Sequence, residues 1–253
     1  MTRISHSTLM RLAPWLLLLF IVLLWQAIVT AFAVPSYLFP SVSQVAAALV
    51  ADWRPIMTHS LQTLYTTLAG FALSIAVGLL LGIAVGASSL IYRSLYPILV
   101  GFNSIPKVAF VPVLVVWFGI GTLPAIATAF LISFFPIVVN VATGLTTVEP
   151  ELQDVLRSMG ASRFDILKKV GLPRSLPYFF ASLKVAITLA FVGSVISETV
   201  ASNLGIGYLM MSASSTMNMA LVFAGLIVIG AMGVVMYALF ALIEKRMTHW
   251  AHR

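Results

Sequence analysis

Hydrophobic positions in this chain do not alternate with polar ones; they come in long unbroken runs. Leu12 to Val34 is free of charge, Pro55 to Tyr92 likewise, and Val108 to Val148 carries no charge over 41 residues. A hydrocarbon core about 30 Å thick is crossed by about 20 helical residues, so each run is long enough to span it. With Ser94 to Pro106 ahead of Lys107, and a break near the Gly119-Ile-Gly-Thr-Leu-Pro124 stretch, the pattern predicts six helices. They fall at about 12–34, 61–87, 95–118, 123–146, 179–200 and 220–243. The runs lack the ten-residue alternation of a membrane barrel, and lipid leaves no backbone group unpaired, so helix is the form they must take. The expectation is an all-α integral membrane protein in which 1–253 forms a single transmembrane domain.

The polar positions are as unevenly spread. Of 14 Lys and Arg and 7 Asp and Glu, ten fall between Glu149 and Lys184. This segment has helix signals of its own. Pro150 suits a first helical position, and Glu149 and Glu151 sit near the positive end of the helix dipole. Leu152, Val155, Leu156 and Met159 follow at i, i+3, i+4 and i+7, one apolar stripe. Gly160 fits the left-handed position that closes a helix. Ser162 with Asp165 three residues on is a short-armed capping box for a second helix, along which Phe164, Leu167 and Val170 line one face. Lys168 and Lys169 sit at its negative end, and Gly171-Leu-Pro173 is expected to stop it. Such a helix pair, over about 150–171, suits either interfacial anchoring or docking of another protein.

Composition sharpens the class. The chain is 61% hydrophobic and 8% charged, with a mean hydropathy of +1.09, far too few charges to solvate a soluble domain. The first run is longer than the apolar core of a secretory signal, although Ala31-Phe-Ala33 resembles a cleavage site, and is read as a span. There is no cysteine, which excludes disulfides and thiolate metal sites. With the N-terminus inside, the inner side receives Arg3, Arg11, Arg93, the basic residues from Arg157 to Arg174, Lys245, Arg246 and Arg253, and the outer loops receive Arg54 alone. That asymmetry places both termini in the cytoplasm, and the net charge of +7 then calls for membrane lipid and not nucleic acid.

Gly160 followed after nine residues by Val170-Gly171-Leu172-Pro173 resembles the cytoplasmic signature of binding-protein-dependent ABC importer permeases, E-A-A-x-x-x-G followed nine residues later by I-x-L-P. Pro150-Glu-Leu-Gln-Asp-Val-Leu-Arg-Ser-Met-Gly-Ala-Ser162 is similar to the form in the nitrate, sulfonate and taurine permease group. The E-A-A triplet is Asp154-Val155-Leu156 here, which keeps the charge and the apolar stripe with different side-chain lengths. Ser104 to Gly121 and Leu38 to Leu49 resemble further motifs of the same group. The resemblance implies a type I importer permease in a bacterial cytoplasmic membrane. Its partners would be a second permease copy, two ATP-binding cassette ATPase subunits and a soluble binding protein on the outer face. It marks Glu151, Asp154, Val155, Leu156, Arg157, Met159, Gly160, Ala161, Ser162, Arg163, Leu172 and Pro173 as the ATPase-coupling set. The cargo it implies is a small organic or inorganic anion, such as a sulfonate, taurine or nitrate, or alternatively a pyrimidine vitamin precursor, riboflavin or an aromatic acid.

No Gly-Lys-Ser/Thr occurs, so this chain has no phosphate loop; ATP and Mg belong to the partner, and no cofactor is expected here. An intramembrane enzyme is disfavoured by the lack of His-Glu-x-x-His and Gly-x-Ser-x-Gly. An ion-coupled transporter would carry several ionisable groups at mid-membrane, where this chain offers Lys107 and Glu198, with His59 and Lys184 near span ends. Lys107 has two readings, facing protein or water, or snorkelling to an interface. Glu198 would pair with Lys107 or line an outer gate. Asn103 and Asn140 are expected as polar contacts between helices. These four are the candidates for the translocation path. Met210, Met211, Met217 and Met219 read as apolar filler and not as a metal site. Gly70, Gly78, Gly82 and Gly86 predict close helix packing.

Overall fold

The structure is a computed structural model that describes residues 6–249. Arg3 and Arg253, two of the charges used to orient the chain, lie outside the described residues. The elements run α1 (His6–Ala31), α2 (Val42–Ala51), α3 (Trp53–Ala87), α4 (Ser89–Ser104), a 3-10 turn at Lys107–Phe110 leading into α5 (Val111–Phe118), and α6 (Thr122–Thr146). They continue with α7 (Pro150–Ser158), α8 (Arg163–Ile166), a π-helical turn at Leu167–Gly171, α9 (Leu172–Ala201), α10 (Ile206–Ser215) and α11 (Met219–Met247). All the described regular structure is helical. Among the described residues five helical stretches are long and apolar enough to cross a membrane, or six if one bent pair counts as a span.

That bent pair corrects the expected third span. In place of one helix over 95–118, Ser89–Ser104 and Lys107–Phe118 meet at 82°. The cause is legible at the break: Pro106 offers no N–H to the preceding turn and, with φ −60 and ψ 109, leaves the helical region. The expected break after this span holds, since Gly119 (φ 77) and Gly121 (φ 137) end α5 and admit α6.

A second correction concerns Gly171-Leu-Pro173, which does not stop the helix. The backbone passes from α8 through the π turn into α9, with Leu172 N–H bonded to Leu167 O, an i to i+5 bond. The wider turn accommodates a proline at the second position of α9 where a regular α-turn would clash with the carbonyl four residues back. The fifth expected span thus begins well before 179. α10 has no counterpart in the six expected segments, and α3 starts at Trp53, eight residues earlier than expected.

The chain divides into two compact units, 58–208 with 229–253 and 1–57 with 209–228. The larger unit is built on α6. Its Ala129, Ile137 and Val141 are wholly buried, and the core extends to Leu145, Leu183, Ala186, Ile187, Ala190, Phe191 and Met236. Gly70, Gly78, Gly82 and Gly86 of α3 face α6 so closely that a Cβ on Gly78 would meet the Ile137 Cβ at 2.8 Å, and one on Gly82 the Val141 Cβ at 2.7 Å. Glycines spaced by four to eight residues thus let two backbones approach, as expected. Ser74 and Ser133 join the same helices with a 2.6 Å hydroxyl contact.

The smaller unit is held by aromatic packing. Trp25 donates from Nε1 to Pro40 O at 3.0 Å and lies 5.5 Å from the Phe39 ring and 5.7 Å from Phe223, while Phe39 and Phe223 meet edge to face at 5.1 Å. Ser41 and Gln44 form a capping box that starts α2.

Candidate functional site

The charged segment folds into a knob whose shape follows from its backbone signals. α7 begins with Pro150 at its first position and ends at a Schellman motif: Gly160 N–H bonds Arg157 O at 2.9 Å and Ala161 N–H bonds Leu156 O at 3.0 Å. Gly160 holds φ +87, and a Cβ there would meet nothing within 4 Å. The requirement for glycine is therefore one of backbone conformation alone. Ser162 then caps α8, its Oγ accepting from Asp165 N–H at 3.1 Å while Asp165 Oδ2 accepts from Ser162 N–H at 3.3 Å. Local bonds cap the two helices on either side of the Gly160 turn.

The expected apolar stripe divides. Leu152 and Leu156 are half-buried, whereas Val155 is 56% and Met159 77% exposed; Phe164, across the Gly160 turn, is 69% exposed. On the second helix Ile166 is the buried residue, a position the expected face of Phe164, Leu167 and Val170 passed over. Three large apolar side chains thus stand in the open among charges. Asp154 pairs with Arg157 at 3.2 Å, Asp165 with Lys169 at 3.5 Å and Glu149 with Arg174 at 3.9 Å, all on the surface, where such pairs contribute little. Glu151 and Arg163 are exposed, Ala161 half-buried. Leu172 packs against the main core from the start of α9 with half-buried Pro173 beside it, so these two serve the lead into the long helix. A cavity of about 590 Å³ opens behind the knob, bounded by Ser88, Ser89, Leu145, Gln153, Arg157 and Phe164.

Of the four path candidates, Asn103 and Lys107 meet, while Asn140 and Glu198 each bond elsewhere. Lys107 donates from Nζ to Asn103 O and, at 3.0 Å, to Asn103 Oδ1, and lies over the Phe102 ring at 5.7 Å. It is folded back onto its own span, and the partners of Glu198 lie elsewhere. Asn140 donates to Pro136 O at 2.8 Å, a bond within α6. The two asparagines therefore serve their own segments and do not bridge helices as expected. Glu198 is 1% exposed and bound by hydroxyls: Thr63 Oγ1 at 2.7 Å and Thr66 Oγ1 at 3.0 Å, with Gly207 N–H at 3.3 Å. Lys184, expected near a span end, makes a 2.5 Å ion pair with Glu244 of α11, a partner sequence reasoning missed. Glu244 stands 60 positions away, and only the tertiary fold reveals the pair.

The architecture defines a class: a multi-span helical membrane protein with one broken span and a rigid surface knob. Comparison with known proteins places it. Residues 74–249 match the family described as binding-protein-dependent transport system inner membrane component. A probable ABC transporter permease protein of Haemophilus influenzae is 33% identical over 89% of this chain and 92% of its own length. The formylaminopyrimidine transport permease protein ThiX of Halalkalibacterium halodurans is 29% identical over 94% and 96%. The chain belongs to this family, the permeases of ABC importers. A chain of the MetNI methionine ABC transporter, solved in inward-facing conformations, shares the fold with a TM-score of 0.65 at 22% identity, over 74% of this chain and 94% of that one. Other relatives are named as permeases for riboflavin, aliphatic sulfonates, nitrate and taurine, at 26 to 30% identity.

Proposed function

We propose that the whole chain acts as one half of the membrane pore of a type I importer, with two ATPase subunits gripping the knob at 150–171 of each of two identical permeases. The observation that carries this reading is the exposure of Val155, Met159 and Phe164 on a rigid, locally capped turn among charged residues. A docking surface has this composition, with an apolar anchor to bury and a charged rim to set register. ATP and Mg reside on the partner, and this chain performs no chemistry on them. Both termini face the cytoplasm, and a binding protein delivers solute from the outside. ATP-driven closure of the motor pulls the knob, and the pair of permeases rocks between inward-open and outward-open forms.

The solute is a small organic or inorganic anion of the sulfonate, taurine or nitrate kind. Lys107, at the break of the third span, supports this by placing positive charge at its 82° bend. A second reading, a vitamin precursor, is favoured by the near full-length likeness to ThiX and to the riboflavin permease RibX of Chloroflexus aurantiacus, 30% identical over 92% of this chain.

The test of docking uses Asp154. An interfacial anchor would tolerate or welcome Asp154→Lys, whereas a docking helix loses a specific contact. Asp154→Asn and Asp154→Lys are expected to reduce ATPase retention on the solubilised permease at least tenfold, and Asp154→Glu to preserve it. Unchanged retention in the Lys variant overturns the role of this residue. Ligand screening on the binding protein encoded beside it separates the two solute readings, since a bound ligand stabilises its folded state.

A further inference from the structure

Glu198 stands near the end of α9, and the chain then turns through 202–205 to begin α10. Turns of this kind expose backbone N–H groups, which in a membrane protein must find partners. Here three successive ones do. Gly205 N–H donates to His59 Nδ1 at 3.0 Å, Ile206 N–H to Thr63 Oγ1 at 2.8 Å and Gly207 N–H to Glu198 Oε2 at 3.3 Å. His59, Thr63 and Thr66 lie at i, i+4 and i+7 on α3, one face of that helix. Thr63 and Thr66 also bind the two carboxylate oxygens of Glu198, and Ser194 Oγ donates to Thr66 Oγ1 at 3.0 Å.

Glycines complete the arrangement. Gly205 has φ +103, and a Cβ there would fall 2.2 Å from Glu198 Cδ; a Cβ on Gly207 would fall 2.5 Å from Val195 O and 2.9 Å from Glu198 Cβ. The backbone of the turn lies directly on the carboxylate. In sequence, the larger unit gives way to the smaller after Tyr208 and takes over from it at Thr58. Each point is within a residue of a participant in this cluster.

We propose that Glu198 is a positioning residue for transport: its carboxylate, with Thr63 and Thr66, latches the turn before α10 to α3, so that these two exits of the chain from the larger unit are held as a single body. Glu198 touches no solute in this role. It acts by keeping the turn 202–207 in place while the importer cycles, and its loss frees α10 from the motion of α3. The functional part of this inference rests on the reading of the chain as an importer permease; the structural part does not.

The experiment exploits the absence of native cysteine. Ile206, wholly buried in the latch, and Ala129, wholly buried on α6, are each replaced by cysteine in the full-length permease with its ATPase partner in lipid vesicles, and labelled with a small polar maleimide. In the otherwise unchanged chain both are expected to resist labelling. Adding Glu198→Ala or Thr63→Val is expected to speed labelling of the Ile206 site at least tenfold while the Ala129 site stays protected, and Thr63→Ser, which restores the hydroxyl, is expected to return it to the slow rate. Solute uptake should fall at least tenfold in the Ala and Val variants with ATP hydrolysis retained. Equal protection at Ile206 in all variants overturns the latch, as does parallel exposure at Ala129, which would mean that Glu198 supports the whole fold and not the turn. Opening of the latch with undiminished uptake overturns its role in transport and leaves the importer reading intact.

Discussion

The knob around Gly160 and the latch around Glu198 are both built on a left-handed glycine, yet they solve opposite problems. At the knob the glycine is free in space: φ is +87 and no atom lies within 4 Å of where a Cβ would be. Its capping groups belong to its own segment, and the large apolar side chains beside it are left uncovered. At the latch, Gly205 at φ +103 is pressed against a carboxylate, and its N–H is answered by His59 from another helix. The knob keeps its geometry by local bonds alone. A buried turn cannot, because water is not there to satisfy what the chain leaves open.

The sharpest way to break this contrast is to replace both glycines with alanine. Gly205→Ala combines backbone strain with a clash against buried Glu198, and the expected destabilisation is about 3–5 kcal/mol. It should appear as a large loss of folded yield and a lower unfolding midpoint in detergent. A Gly205→Ala protein as stable as the parent would show that the turn can move off the carboxylate.

Ion pairs extend the comparison. Lys184 and Glu244 are about three-quarters buried and 2.5 Å apart, so Lys184→Ala strands a carboxylate among apolar helices and should cost about 2–3 kcal/mol. The double variant Lys184→Ala with Glu244→Ala should recover part of that loss in the same unfolding measurement. Equal midpoints for the single and double variants would show that no charge is stranded.

Gly160→Ala meets strain alone and should cost about 1–2 kcal/mol in stability. Gly160→Val, where the branched side chain resists the left-handed conformation further, should insert normally yet abolish uptake. Normal transport by the valine variant would detach the knob from coupling.

The smallest expected effect is that of Arg157→Ala. Its pair with Asp154 is solvent-exposed, so stability of the isolated permease should change by less than about 1 kcal/mol. A larger drop in the unfolding midpoint would mean that Arg157 supports the cavity wall behind the knob.

The caps and turn of the knob were legible because their determinants are short-range. Pro150 at the first position, Gly160 after the last turn and the Ser162 to Asp165 box each act on backbone groups within five residues. The latch shows in sequence only as an isolated Glu198 between apolar stretches, which pointed to Lys107 as partner. A signal did exist: His59, Thr63 and Thr66 share a helical face, and Gly205 and Gly207 flank Ile206. Neither half says that the other is opposite.

By itself the sequence determined that this chain is a bundle of membrane-crossing helices. Runs of apolar residues answer to the thickness of a bilayer and need no knowledge of neighbours. It also determined the place of the charged knob and the family, through motifs carried by contiguous residues. Only the tertiary structure decided that the third span bends by 82° at Pro106, that the helix beyond Lys169 continues through a π turn, and that Glu198 belongs to Thr63 and Thr66 while Lys184 belongs to Glu244. The physical reason is the same for the two buried partnerships. A polar group in an apolar interior takes the nearest partner in space, and that distance is set by helix packing, not by separation along the chain.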